Sequence, residues 1–206
     1  MQNYIAKVFH FSLSIFTLVF LGAFAYVLFY GGVVPPSTDA KFKKINDFNT
    51  PMLYFKPNDS LRAYTQTVLF NKKYVKDSNG CLQVDYTTSN EKNIGVKTTA
   101  YDMNGLNNIS FMARSDKPIR LDVMIGNVSN PDIFYVTTVK VSNDWDVYKL
   151  KIDDFKPIDI TGANKNVPFN KNELGPYLEF SVPKSSIKTT GIFWIDKLVI
   201  SYNRTY

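Results

Sequence analysis

Histidine and cysteine are almost missing from this chain of 206 residues, which has one cysteine and one histidine. With Cys81 alone, no intrachain disulfide can form, and neither an oxidising nor a reducing compartment is demanded. Cys81 reads as a small buried hydrophobe on a strand. His10 stands in an N-terminal apolar run, so residues 45–206 offer no imidazole. That removes Ser-His-Asp and Cys-His catalysis and a histidine zinc site from that region. No G-x-x-x-x-G-K-[ST] or G-x-G-x-x-G stretch occurs, so the usual phosphate and dinucleotide cradles are absent too.

Charge is missing from one segment. Between Val8 and Thr38 there is no Asp, Glu, Lys or Arg, through "VFHFSLSIFTLVFLGAFAYVLFYGGVVPP". At about 1.5 Å per residue, Phe9 to Val34 covers a bilayer core of about 30 Å with length to spare. The expectation is one transmembrane anchor over 9–34, meeting membrane lipid, after a cytoplasmic stub at 1–8. Tyr4, Tyr26 and Tyr30 would sit near the interfaces. Ala23-Phe24-Ala25 has the A-x-A form that a signal peptidase accepts, so cleavage after Ala25 is the alternative. The apolar residues continuing from Tyr26 to Tyr30 favour the uncleaved anchor. Lys7 on one flank faces Lys41, Lys43 and Lys44 on the other, which opposes export. A short stub without acid, and the ease with which long domains translocate, favour an extracytoplasmic C-terminal domain on a single-pass membrane protein. Gly22, Ala23, Ala25, Gly31 and Gly32 would let a second helix approach the anchor closely.

Beyond a linker at 35–44, residues 45–206 suit one domain with a real core. The net charge of +6 is spread, with Lys and Asp interleaved. Nucleic acid, which calls for clustered charge, is not an expected partner; anionic lipid or an acidic polymer fits. Sequons begin at Asn58, Asn108, Asn127 and Asn203, at a frequency expected of an Asn-rich chain.

This region reads as many short strands. "CLQVDY" alternates Leu82, Val84 and Tyr86 on one face, and "NISFMAR" aligns Ile109, Phe111 and Ala113. "IRLDVMI" sets Ile119, Leu121, Val123 and Ile125 against Arg120, Asp122 and Met124. "IFYVTTVKV", "DVYKLKI", "YLEFSV" and "GIFWIDKLVIS" continue the series between turn-rich segments. Strands at this spacing, without an amphipathic helix of useful length, imply an all-β antiparallel sandwich.

The succession "INDFNTP", "CLQVDY", "MNGLNNISFMARSD", "IRLDVMI", "NDWDVYKLKIDDFKP" and "GIFWIDKLVIS" resembles the jelly-roll, galactose-binding-like domains. These include carbohydrate-binding modules and the complex I intermediate-associated family. The resemblance covers about Ile45 to Tyr202. It implies a jelly-roll β-sandwich with a ligand laid across one sheet face, held by aromatic platforms and polar side chains. By parity the face opposite the core presents Met112 and Arg114, then Arg120, Asp122 and Met124, then Tyr177 and Glu179. Phe134 and Tyr135 compete as the exposed aromatic of their strand. The candidate ligand-binding set is Arg114, Arg120, Asp122, Tyr135, Tyr177 and Glu179, beside the bland alternative of a solvated sheet face. Trp145 and Trp194 read as core.

Asp196 shares the apolar parity of Ile192, Trp194, Leu198 and Ile200, and a buried carboxylate needs compensation. In the resembling domains a structural calcium joins the start of the domain to its last strand. Asp47, Asn49 and Asp196, with backbone carbonyls, would be its ligands here. Hydrogen bonding to backbone amides is the alternative. Asp153 and Asp154 read as neighbours on opposite faces of a strand, and no carboxylate pair stands out for catalysis. No enzyme is expected. Two functions remain open: a membrane-tethered module binding a cell-envelope or extracellular glycan, or an accessory or assembly subunit docking to membrane-protein complex subunits through its helix and sandwich.

Overall fold

The computed structural model describes residues 17, 33–34, 43–46, 48, 55–69, 80–99, 101, 103, 105–162 and 167–202. The proposed anchor at 9–34 lies outside the described residues except for Thr17 and Val33–Val34. No helix among the described residues is long and apolar enough to cross a membrane.

The described chain is all-β. Its strands are β1 (Val33–Val34), β2 (Lys43–Asn46), β3 (Lys56–Pro57), β4 (Ala63–Leu69), β5 (Gly80–Thr87), β6 (Ile94–Thr98) and β7 (Leu106–Ser115). They continue with β8 (Ile119–Asn127), β9 (Ile133–Val141), β10 (Asp146–Lys151), β11 (Lys156–Asp159), β12 (Leu174–Val182) and β13 (Thr190–Tyr202). β2 begins at Lys43, and Val33–Val34 pairs with Ile45 and Asn46.

Two antiparallel sheets face each other. One has the order β11-β9-β8-β12-β6-β3. In the other, β13 is flanked on one side by β7 and then β10. On its opposite side β5 and β4 cover the first half, and β2 and β1 the second. Alternating residues meet between the sheets: Leu82, Val84, Ile109, Phe111 and Ile195 from one, Leu121, Val123, Ile125, Leu178 and Phe180 from the other. The periodicity of two in these stretches puts one apolar row of each strand inside. Phe180 sits at the centre, fully buried, with its ring 5.0 Å from Phe111 edge-on and 6.0 Å from Phe55.

A bulge in β13 corrects the parity read from sequence. The register shifts between Asp196 and Val199, where Lys197 takes a φ of 47°. Before the bulge Phe193 and Ile195 face the core; after it Leu198 and Ile200 do. One extra residue reverses the alternation. Trp194 is therefore buried on the outer side of its sheet, in a second cluster with Cys81 backed by Trp145 and Ile192. The pair Asp153 and Asp154 also differs from its reading, lying in a 3-10 turn (Ile152–Asp154) rather than a strand. Asp154 accepts from the Lys151 amide, and Asp153 pairs with Lys171.

Candidate functional site

The outward face of the six-stranded sheet gathers most of the polar residues singled out by sequence. Across β8 and β9, Arg120 stands opposite Lys140, Asp122 opposite Thr138, Met124 opposite Val136 and Gly126 opposite Phe134. Glu179 of β12 lies between Met124 of β8 and Lys97 of β6. Directly opposed residues of antiparallel strands share a face, so Arg120, Asp122, Tyr177 and Glu179 come together.

Their hydrogen bonds hold the two acids rigidly. Asp122 accepts from Thr138 Oγ1 at 2.6 Å and from Asn93 Nδ2 at 3.0 Å, one donor per oxygen. Glu179 is only 5% exposed, and accepts from Asn58 Nδ2 at 2.9 Å and from the Tyr177 hydroxyl. Burial, reinforced by the Glu179 carboxylate, drives the Tyr177 hydroxyl well above its ordinary pKa, so it stays a donor. The Tyr177 ring meets Phe134 edge-on at 5.3 Å, and Lys97 Nζ lies 5.9 Å from its centroid. Gly126 makes room for it: a Cβ there would come within 2.8 Å of Tyr177 Cβ. The face thus carries an aromatic pair at one end, two immobilised carboxylates in the middle and Arg120 with Lys140 at the other end.

Two sequence-derived members do not belong to it. Tyr135 is fully buried against Phe169, its hydroxyl accepting from Asn127 Nδ2 at 3.0 Å. Its neighbour Phe134 faces outward instead, because β9 pairs with β8 in the register that puts Tyr135 opposite core residue Ile125. Arg114 lies on the other sheet, its guanidinium 4.9 Å from the Trp194 ring centroid. Asn58, Asn93 and Lys97, in or beside β3 and β6, were missed because β6 pairs with the distant β12; Thr138 was missed because only the β8–β9 register sets it opposite Asp122. Asn58 and Asn127, which begin sequons, are both structural: Asn58 also accepts from the Gly95 amide, and Asn127 caps the turn at Ser129 and Asn130.

Of the expected calcium ligands, Asp47 and Asn49 lie outside the described residues. Asp196 is fully buried beside the β13 bulge, and its Oδ1 accepts from the Lys197 amide at 2.7 Å. No group of three His, Cys, Asp or Glu side chains suited to a metal occurs among the described residues.

Asp196 and Arg114 act on Cys81 from the same side of the sheet. Burial, with Asp196 adding to it and Arg114 opposing, pushes the thiol from 9.0 up to about 12. Cys81 is therefore expected to resist iodoacetamide at pH 8 in the folded protein and to react after urea unfolding. The unfolded thiol ionises first, so this group's contribution to stability is present below about pH 9 and is lost as pH rises toward 12. Denaturant midpoints between those limits should fall less in Cys81→Ala than in the parent chain; equal slopes would refute the assignment.

Two clefts lie away from the face. Hollows of about 470 Å³ and 590 Å³ share Leu61, Arg62, Thr87 and Thr190 at one end of the sandwich.

No family model and no curated protein matches this chain. Solved structures do. A family 11 carbohydrate-binding module from Clostridium thermocellum, in complex with a β-1,3-1,4-mixed-linked tetrasaccharide, is similar with a TM-score of 0.57 at 15% identity, over 77% of this chain and 94% of that one. The chain shares the jelly-roll fold of that module. The CBM22-1 xylan-binding domain of Paenibacillus barcinonensis Xyn10C is similar with a TM-score of 0.52 at 12% identity, over 79% of this chain and 94% of that one. The shared jelly roll leaves the ligand to the side chains on its faces.

Proposed function

We propose that the chain is a non-catalytic carbohydrate-binding module whose glycan lies across the outward face of the six-stranded sheet. The observation that carries this reading is the joint placement of Tyr177 with Phe134, the held carboxylates of Glu179 and Asp122, and Arg120. Aromatic faces take the C–H surface of a sugar, while fixed acceptors and a guanidinium orient its hydroxyls. An open sheet face suits a polymer better than a closed pocket would. The similar structures support the reading because one holds an oligosaccharide and another is a xylan-binding domain.

The reading places the module on the extracytoplasmic side of a membrane, tethered by the apolar run that precedes β1 and presenting an envelope or extracellular glycan near the surface. Affinity electrophoresis of the full chain in mild detergent, through gels carrying soluble polysaccharides, tests it: retardation by at least one is expected. No retardation, together with membrane subunits co-purifying in fixed proportion, would replace it with the assembly-subunit reading.

A structural calcium held by Asp196 with Asp47, Asn49 and backbone carbonyls completes the proposal. The buried carboxylate supplies a hard oxygen donor, with the Lys197 amide satisfying one of its atoms. EDTA is expected to lower the melting temperature by about 5 °C, and added Ca²⁺ to restore it. An unchanged melting curve would leave Asp196 to backbone donors alone.

A further inference from the structure

Five cations point outward on the proposed glycan face: Lys56, Lys97, Arg120, Lys140 and Lys156. All five are exposed. Among the described residues only two acids share the face, and neutral groups already occupy both oxygens of each: Asn93 and Thr138 on Asp122, Asn58 and Tyr177 on Glu179. None of the five cations forms an ion pair among the described residues.

The register adds a second observation. Arg120 stands directly opposite Lys140, and Lys56 directly opposite Lys97. Like charges in directly opposed positions destabilise a sheet, and here two such pairs recur on one face. A neutral polysaccharide gives nothing back for that repulsion, and covering the cations would replace their water only with neutral hydroxyl acceptors. A polymer with an anion on its sugars would relieve both costs. Lys97 stands beside the Tyr177 ring, so a sugar stacked there would bring its ring substituent to the ammonium group.

We infer that the ligand of this face is an anionic polysaccharide, carrying carboxylate or sulfate groups on its sugars. The inference rests on the glycan reading of the same face. The test measures binding of the full chain in mild detergent to polygalacturonate, dextran sulfate, neutral mixed-linked β-glucan, neutral xylan and poly-L-glutamate. Binding to one of the two anionic polysaccharides at least tenfold tighter than to the neutral ones is expected, falling roughly tenfold as NaCl rises from about 50 to about 300 mM. Which of the two is preferred separates carboxylate from sulfate recognition. The double variant Arg120→Gln/Lys140→Gln should weaken that binding at least tenfold with a melting temperature no lower than the parent's, since it also relieves the repulsion of that pair, while Lys188→Gln, on a loop off this face, leaves it intact. Equal, salt-insensitive binding to the neutral glycans would overturn the inference and leave the glycan reading standing. Binding poly-L-glutamate as tightly as polygalacturonate would overturn it too, since the face would then read charge without sugar. Failure to bind any polysaccharide would overturn both.

Discussion

Gly95→Ala is expected to destabilise the sandwich by roughly 3 kcal/mol or more, lowering its melting temperature by about 10 °C. Gly95 lies in β6 opposite Ser181 of β12. A Cβ built on it would fall 2.0 Å from the Phe180 carbonyl oxygen and 2.6 Å from the Ser181 Cα. Both are backbone atoms of the adjacent strand, so no side-chain rotation relieves the overlap. Retreat of β6 is blocked from the other side, where Asn58 clamps Gly95 by accepting from its amide while the Asn58 amide donates to its carbonyl. The clash therefore forces β6 and β12 apart at the point where Phe180 enters the core. Thermal unfolding followed by circular dichroism measures the effect. A melting temperature within a degree or two of the parent would mean that the two strands do not approach this closely.

Tyr177→Ala is expected to weaken glycan binding roughly thirtyfold or more, the loss typical of an aromatic anchor residue. The ring is half-buried, braced edge-on by Phe134 and seated over Gly126, so it is ordered before any ligand arrives. A platform already in place loses little conformational entropy on binding. Tyr177→Phe separates the two roles of the residue. It keeps the stacking surface and removes the hydroxyl that donates to Glu179, whose other oxygen still receives the Asn58 amide. Affinity should fall by less than about fivefold in Tyr177→Phe. Titration calorimetry with the best-retained polysaccharide decides the matter. Equal affinities for the parent and Tyr177→Ala would move the binding surface off this sheet.

Much of the core was legible because it depends on local alternation. The rows Leu82–Val84–Tyr86, Ile109–Phe111–Ala113 and Leu121–Val123–Ile125 are buried as their period of two requires. Alternation failed at β13, since a bulge shows only in the pairing: Lys197 carries nothing that marks it from its neighbours in "WIDKLVI". It was undecided at β9, where Phe134 and Tyr135 are both aromatic and register alone sends Phe134 outward.

The amino-acid sequence by itself determined the strand-rich composition, the inward rows of β5, β7 and β8, and the outward placement of Arg120, Asp122, Tyr177 and Glu179. These follow from which side of a strand a residue occupies, a property of a few neighbouring positions. Only the tertiary structure decided which outward residues share a sheet, moving Arg114 to the opposite face, bringing Asn58, Asn93 and Thr138 to the acids they hold, and bringing Lys97 to the Tyr177 ring. It also set Arg120 against Lys140 and Lys56 against Lys97. Some of these pairings join distant strands, such as β6 with β12, and others join consecutive ones, β8 with β9, but in both the register is chosen by the collective burial of the sheets rather than by any local pattern.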